Sequence, residues 1–538
     1  MSVAEAIARS LTCWLALTAI AAYAIDALGF GVQPWVAVVV ALGVTGAAAV
    51  MWPRPSYSYT SDFVTWLGIV IFMVAMFLRM SWPALVPPGR GPDLTHHLLL
   101  VDYIEQTGHL VHDRSLEGAM GEMAHYTPGS HLLAVIAGAM FGVDGLRAFF
   151  PLTVVCAALT AGFVFLIGRR MGLALPYAIA AVLMLFLPAQ YFFGGFTHDA
   201  FLAQTVSTLF AVAAWWAIGC WRSQPTRSGA VAIAIFMVAI FLAWPIWLGP
   251  LALLFAAIWL QGGMQDLNTS RPQDLLIVFV PLLAIFVLHS WDRWGWLTIV
   301  RTSGAVLHPS LESVGFQLPL LAIIGVFIAA RDQRARITIV LLFVIAMQAI
   351  TFYGLAKAQG ADTPYMAFKM MYFAIYPLAI LAAMALQWAL NSTLRTPNSR
   401  EPIGWLIATA LLVIVVRPAL SAPREVPVIK LDLQAAGQWL RANHAAACSD
   451  YLVADPETAY WLHLAVLGNP RSGERMREID RYAPNAAMAP WITAEGRSYA
   501  IADLDLLPAE VGSRVQIMRE FGRAAVIARP GAIMMGCD

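Results

Sequence analysis

Long apolar runs separated by short polar breaks fill residues 1–420 of this chain. A helix needs roughly 20 apolar residues to cross a bilayer core, and most of these runs reach or approach that length. The pattern therefore predicts thirteen membrane-spanning helices, near residues 11–28, 33–52, 63–80, 147–168, 174–193, 199–220, 229–243, 246–260, 274–291, 314–330, 337–356, 370–388 and 403–420. The two runs around Trp244 and Pro245 are the shortest of the set.

The pattern changes after residue 420, where polar and apolar positions mix as they do in water-soluble domains. Helical periodicity covers 433–441 and 508–521, whereas 451–453, 499–501 and 524–527 are typical of short strands. The chain is thus predicted to be an all-α polytopic membrane protein. Its transmembrane body spans 1–420, and a small α/β domain spans 421–538.

Composition agrees with a membrane protein and excludes one class of function. Apolar residues make up 60% of the chain, charged residues only 12%, and the net charge is +1. Soluble domains carry about a quarter charged residues. A protein that binds nucleic acid needs a basic surface, which this chain lacks. We therefore expect membrane lipids as its surroundings and no nucleic acid as a partner.

Arginine defines the predicted orientation. The short loops that alternate with the predicted spans carry arginines, and such loops face the cytoplasm by the positive-inside rule. These are Arg169, Arg170, Arg222, Arg227, Arg271, Arg331, Arg334, Arg336, Arg395 and Arg400. All eleven histidines fall on the opposite side or at its helix ends. We expect a bacterial cytoplasmic (inner) membrane, a cytoplasmic N-terminus and a periplasmic C-terminal domain.

The polar loop 81–131 is predicted to be the first long periplasmic loop, and it carries the richest candidate chemistry. Pro92 begins and Gly108 ends a predicted helix on which Asp93, His96 and His97 share one face, at i, i+3 and i+4. A carboxylate beside two imidazoles can act as a general base or hold a metal. The alternative is that Asp93 caps the helix and both histidines are hydrated.

Other polar residues are expected near this face. The stretch 125–131 contains a Pro-Gly turn between His125, Tyr126 and His131, which either position a substrate or anchor the chain at the interface. Further candidates from later periplasmic loops are His198, Asp199, Arg293, Lys369 and Tyr372. Lys369 enters an apolar helix, where a cation needs a partner such as phosphate unless it extends to the lipid headgroups.

The cysteines divide between the two predicted regions. Cys448 and Cys537 lie in the C-terminal domain, in a compartment that permits disulfides, and are predicted to pair. Cys13, Cys156 and Cys220 lie in or beside spanning segments and are expected to serve packing alone.

The stretch 92–97, Pro-Asp-Leu-Thr-His-His, and the later Tyr126-Thr127-Pro128-Gly129 resemble first-loop patterns of the GT-C superfamily of membrane glycosyltransferases. The resemblance covers the whole chain in outline. It implies a polyprenyl-phosphate sugar donor and a glycan or lipid acceptor in the cell envelope. It also implies that Asp93 is the general base and that Lys369 and Arg293 bind the lipid phosphate.

The chain departs from the GT-C pattern in two ways. Many members carry paired acidic residues in the first loop, whereas histidines follow the single Asp93 here. The sequence therefore does not decide whether the protein uses a divalent metal as a cofactor. Two additional spans also precede the loop. A transporter or flippase of a lipid-linked substrate is the alternative function, and it would require ionisable residues deep within the spanning helices.

Overall fold

The computed structural model describes most of the chain. The described residues are 1–51, 60–88, 92–188, 190–195, 199–265, 272–296, 304, 306–393, 397–421, 429–470, 497–507 and 515–529.

Helices dominate the first 421 residues. They are α1 (Val3–Ala27), α2 (Trp35–Met51), α3 (Thr60–Ser81), α4 (Pro92–Thr107), α5 (Glu117–Met120), α6 (Gly129–Phe141), α7 (Gly145–Arg170), α8 (Leu175–Met184), α9 (Leu202–Ser223), α10 (Arg227–Ala243), α11 (Leu248–Gln265), α12 (Pro272–Arg293), α13 (Leu311–Val314), α14 (Gln317–Ala329), α15 (Arg336–Ala358), α16 (Tyr365–Thr393) and α17 (Pro397–Ser421).

Every one of the thirteen predicted spans falls on a helix. Among the described residues, seven helices are long and apolar enough to cross a membrane: those within α1, α3, α7, α9, α12, α15 and α16. Shorter apolar helices cover the remaining predicted spans, and α6 is a further apolar helix of this kind. The expected polytopic helical fold is confirmed.

Burial separates a central helix pair from a lipid-facing rim. The apolar windows of α7 and α9 are 83% and 89% buried, whereas that of α12 is 28% buried. On α12, Leu276, Val280, Leu283 and Val287 repeat at helical spacing and are all exposed. A continuous apolar stripe of this kind is stable in contact with lipid tails rather than with water.

Close helix contact also depends on a small residue in α14. A Cβ atom added at Gly325 would lie 2.0 Å from the carbonyl oxygen of Leu381 in α16. The missing side chain lets the two backbones touch, as is common where membrane helices pack.

A small sheet and two helices follow the spans. Helices α18 (Leu431–Ala442) and α19 (Pro456–Trp461) accompany strands β1 (Ser449–Leu452), β2 (Tyr499–Asp503), β3 (Gln516–Phe521) and β4 (Ala524–Ala528). The sheet order is β1-β2-β4-β3, with β1 and β2 parallel and the other pairs antiparallel. The predicted α/β character is confirmed, while the boundary at residue 421 stays a prediction.

One predicted element of this region is wrong. The helix expected over 508–521 is replaced at its described end by β3, which forms a hairpin with β4. Gly522 occupies the turn with a positive φ of 64°, a backbone conformation that glycine adopts without strain. Pairing with the buried β4 outweighs the weak helical periodicity of this segment.

The C-terminal region packs directly on α4. Arg441 of α18 donates a hydrogen bond to Asp102 of α4 at 2.6 Å. Gln434 and Gln438 donate to Asp144, the residue that caps α7. These contacts join the sheet region to the loop that carries the candidate chemistry.

Candidate active site

The face of α4 predicted from the sequence lines a cavity of about 140 Å³. Asp93, His96 and His97 contribute from α4, and Tyr365 contributes from the first turn of α16. Met366 of α16 also lines the cavity. The rest of the lining comes from the α5–α6 connection, from the α10–α11 junction and from the residues that follow α12: Glu122, Met123, His125, Tyr126, Thr127, Trp244, Pro245, Gly295 and Trp296.

Asp93 and Glu122 are the two exposed acids among the residues that line this cavity. The Tyr365 hydroxyl donates a hydrogen bond to the Oδ2 atom of Asp93 at 3.3 Å. The Asp93 carboxylate lies in the first turn of α4, where backbone N–H groups favour negative charge. Asp93 is therefore oriented by one neighbour and open to a ligand.

Lys369 lies behind this wall of the cavity. Its side chain is 1% exposed, and its ammonium group lies over the face of Phe201. The rings of Tyr365 and Trp244 are 5.0 and 5.8 Å from Nζ, so both lie close to the charge and also line the cavity. Asp93 and Asp199 are the carboxylates that stabilise its charge. The sequence left open that Lys369 extends to the lipid headgroups. Its ammonium group is instead enclosed by protein side chains.

His97 and His131 form a buried pair below the cavity. Their Nδ1 and Nε2 atoms are 3.0 Å apart in a hydrogen bond, which requires one ring to donate and the other to accept. Burial lowers the pKa of His97 to about 4, because a charged imidazole would lose its hydration. His97 is therefore neutral near pH 7 and serves as a hydrogen-bonding group rather than as a cation.

His96 connects the cavity to the C-terminal region. Its Nε2 atom lies 2.5 Å from the hydroxyl of Tyr460 in α19, and its Nδ1 atom lies 2.7 Å from Glu122 Oε1. An imidazole held between a phenol and a carboxylate has a fixed ring orientation. Tyr460 could not be predicted from local sequence, since 364 residues separate it from His96.

Three polar atoms of the lining are buried and have no hydrogen-bond partner among the described residues. They are the Tyr126 hydroxyl, the Trp244 Nε1 atom and the His125 Nδ1 atom. A buried polar group without a partner costs about 1–3 kcal/mol, so such groups are uncommon unless a ligand satisfies them. Burial and the negative charges of Asp93 and Glu122 raise the pKa of Tyr126 well above its usual value, and the hydroxyl keeps its proton.

Of the remaining predicted residues, some lie beside Lys369, one is buried away from the cavity, and others lie outside the described part of the chain. Tyr372 donates to Asp199 Oδ2 at 3.2 Å, on the Lys369 side of the wall. Arg293 is buried but does not line the cavity, and it donates to the carbonyl of Val111 at 2.9 Å. His198 and Cys537 lie outside the described residues. Cys448 is disulfide-bonded. Because its predicted partner Cys537 lies outside the described residues, the pairing of the two stays a prediction.

The described residues contain no group of three or more histidine, cysteine, aspartate or glutamate side chains that would hold a metal ion. Tyr365, Glu122, Trp244 and Tyr460 are the residues of this site that the sequence did not single out. Of these four, only Tyr365 could have been found from the sequence, because it stands four residues before Lys369 and shares a helical face with it.

Comparisons with known proteins support the fold. No family model and no curated protein matches the chain. The crystal structure of ArnT from Cupriavidus metallidurans bound to undecaprenyl phosphate covers 89% of this chain and 100% of its own, with 14% identity and a TM-score of 0.51. Its apo state covers 88% and 99%, with 15% identity and a TM-score of 0.48.

The archaeal oligosaccharyltransferase AglB from Archaeoglobus fulgidus, in complex with an inhibitory peptide and a dolichol-phosphate, covers 83% of this chain and 70% of its own. Its identity is 13% and its TM-score 0.47. The ArnT structure carries the argument about fold, because its likeness extends over nearly the whole of both chains. This chain has the GT-C fold, as the resemblance in its first loop predicts.

Proposed function

We propose that this protein is an integral membrane glycosyltransferase. It moves a sugar from a polyprenyl-phosphate donor to a hydroxyl group of a glycan or lipid acceptor in the cell envelope. Asp93 acts as the general base. The observation that carries the proposal is an exposed, oriented carboxylate at a polar cavity, with a buried cation behind the same wall, in the fold of a protein solved with undecaprenyl phosphate.

The proposed reaction balances with protein groups alone. The acceptor oxygen forms a bond to the anomeric carbon of the sugar while the bond from that carbon to the phosphate oxygen breaks. The acceptor proton passes to Asp93, and the polyprenyl phosphate leaves with the electron pair. A phosphate is a stable leaving group, so no nucleotide is required on the periplasmic side.

Lys369 supplies positive charge where the phosphate departs. Its ammonium group is separated from the cavity by Tyr365 and Trp244, and the surrounding rings exclude water. A charge acts more strongly across such a low-dielectric wall than through water. Lys369 thus favours the anionic leaving group from behind the cavity wall, while Arg293 lies outside the proposed phosphate site.

The buried polar atoms of the cavity lining that have no hydrogen-bond partner among the described residues are of the kind that bind a sugar. Tyr126 and Trp244 provide an O–H and an N–H donor beside flat aromatic surfaces, and His125 adds a ring nitrogen. Sugar hydroxyls accept and donate hydrogen bonds, and sugar C–H faces pack on aromatic rings. A bound sugar would satisfy groups that otherwise remain unpaired.

The distribution of charge favours an enzyme over a transporter. In the described parts of the spanning helices, every buried acidic, basic or histidine side chain lies within about two turns of a helix end. A transporter places such groups near the middle of the membrane. The polar cavity lies at one end of the bundle, and we assign that end to the periplasm because the arginine-rich loops lie at the other.

Lipid mass spectrometry of the purified protein tests the proposal. We expect a polyprenyl phosphate or its glycosylated form to copurify, and the glycosylated form to accumulate in Asp93→Asn because its transfer slows by about 10²–10⁴-fold. Asp113→Asn is the matched control, since Asp113 is an exposed acid of the same loop outside the cavity. Bulk phospholipids alone in all three proteins would exclude this function and favour a transporter.

A further inference from the structure

A second large cavity lies at the opposite end of the bundle from the candidate active site. Phe149 near the start of α7 contacts His131, whereas Arg170 at its end lines this second cavity. The helix rises about 32 Å from Phe149 to Arg170, roughly the thickness of a bilayer core. The cavity therefore lies at the depth of the other leaflet's headgroups.

The lining of this cavity combines cations with apolar walls. Its volume is about 420 Å³. Arg170, Arg222 and Arg334 provide charge, and no acidic residue is among the described residues that line it. The other lining residues are Ile167, Met171, Trp215, Trp216, Gly219, Ser223, Gln333 and Ile337.

One of the three arginines is already neutralised. Arg170 forms an ion pair with Glu5, and Glu5 also accepts from the indole of Trp216. Arg222 and Arg334 have no ion-pair partner within the described part of the chain, and the charge that acts on Arg222 is another arginine, Arg336. The site therefore holds uncompensated positive charge.

Two donors that line the cavity are buried and have no acceptor among the described residues. They are the Nη1 atom of Arg222 and the Nε1 atom of Trp215, a residue that is 1% exposed. Both groups can only donate, so a ligand that satisfies them must be an acceptor. The orphaned donors and the charge independently indicate an anion.

We propose that this cavity, here called the arginine pocket (Arg170, Trp215, Arg222 and Arg334), binds a phosphate group. Arginine holds phosphate through paired, charge-assisted hydrogen bonds. The apolar walls formed by Ile167, Met171 and Ile337 favour the headgroup of an anionic phospholipid, whose acyl chains would follow the helix surface. A soluble phosphate compound offers the same anion without the tails. The site is independent of the proposed transfer reaction.

Native mass spectrometry on delipidated, full-length protein tests the arginine pocket. Phosphatidylglycerol is titrated into wild type, Arg222→Gln, Arg334→Gln and the control Arg331→Gln, an exposed arginine at the same end that does not line the cavity. Inorganic phosphate is titrated in parallel and followed by thermal shift. Loss of one charge-assisted contact weakens binding about ten- to hundredfold.

Three outcomes decide the proposal. A first phosphatidylglycerol bound by wild type and Arg331→Gln, and at least tenfold more weakly by Arg222→Gln and Arg334→Gln, supports it with a lipid ligand. The same dependence with inorganic phosphate alone supports a soluble ligand. Equal binding by wild type and by Arg222→Gln and Arg334→Gln variants that remain folded overturns it. Arg334 is exposed, so Arg334→Gln keeps the test valid if Arg222→Gln misfolds.

Discussion

Among the described residues, aromatic rings rather than a salt-bridge partner surround the ammonium group of Lys369. Phe201 lies beneath it, and Tyr365, Tyr372 and Trp244 lie within 6 Å. Cation–π contacts recover only part of the hydration that a buried lysine loses. A charge kept at such a cost inside a membrane protein is typically functional.

Lys369→Met should therefore separate activity from stability. Methionine fills a similar volume without a charge, so we expect an unchanged or raised free energy of unfolding. Transfer should fall by about 10²–10³-fold, because the departing phosphate loses its electrostatic support. Thermal unfolding and single-turnover assays, with the donor that accumulates in Asp93→Asn, measure the two effects. Parallel losses of stability and activity would indicate a structural role instead.

The buried His97 makes the site sensitive to acid. Its pKa is about 4 in the folded protein and 6.5 in an ordinary environment, so between these values the unfolded chain binds more protons. The free energy of unfolding should then fall as pH drops from 6.5 to 4, by on the order of 3 kcal/mol. His97→Gln should flatten this dependence in thermal unfolding scans from pH 4 to 7. An unchanged slope in that variant would assign the effect to other groups.

At the scale of elements, α4 is held between the bundle and the C-terminal sheet. Glu105 on α4 accepts from the first backbone N–H of α7, and Asp102 accepts from Arg441 of α18. Burial raises the pKa of both carboxyl groups, so their stability as anions depends on these donors. The helix that carries Asp93 is thus positioned from two sides.

Arg441→Gln should loosen this arrangement. Asp102 would remain largely buried without its cation, which we expect to lower the free energy of unfolding by about 1–3 kcal/mol. Limited proteolysis of the C-terminal region and thermal unfolding report the change, and the double variant Asp102→Asn/Arg441→Gln should recover most of it. Arg523→Gln is the control, because it breaks an exposed pair with Asp505. Equal effects of the two single variants would contradict the role of Arg441.

Elements whose structure depends on neighbouring residues were predicted from the sequence, whereas elements that depend on contacts with distant residues were not. Spanning helices depend on local hydrophobicity, and all thirteen predicted spans coincide with helices. The strand β3 depends on pairing with β4, which local periodicity does not reveal. Likewise, the helical spacing of Asp93, His96 and His97 was sufficient to place them on one face. The partners Tyr365 and Tyr460 come from distant parts of the chain, and a single sequence contains no record of that proximity.

At the scale of the whole molecule, the two polar cavities lie at opposite ends of the helix bundle. The candidate active site and the sheet region lie at one end, and the arginine pocket lies at the other. Arginine concentrates on the second end, which supports a cytoplasmic assignment for it. The cytoplasmic assignment of this end stays a prediction, based on loop charge as the physical signal for orientation.

Thiol labelling tests the orientation. In intact bacterial cells, a membrane-impermeant maleimide should label Asp113→Cys and not Arg334→Cys, whereas permeabilised cells should show both. Both positions are exposed, and the free native thiols Cys13 and Cys156 are buried. A Cys220→Ala background removes the partly exposed thiol. Labelling of the cysteine at position 334 alone in intact cells would reverse the assigned orientation.

The contact between His96 and Tyr460 also has a consequence for biosynthesis. The ribosome adds Tyr460 364 residues after His96, when every spanning helix has already been made. Domains form in order from the N-terminus during synthesis, so the bundle can assemble while His96 still lacks this partner. His96 therefore acquires this contact only once the C-terminal segment has been made and has folded back onto α4. A nascent or truncated chain that ends before Tyr460 would carry Asp93 while His96 still lacks this contact.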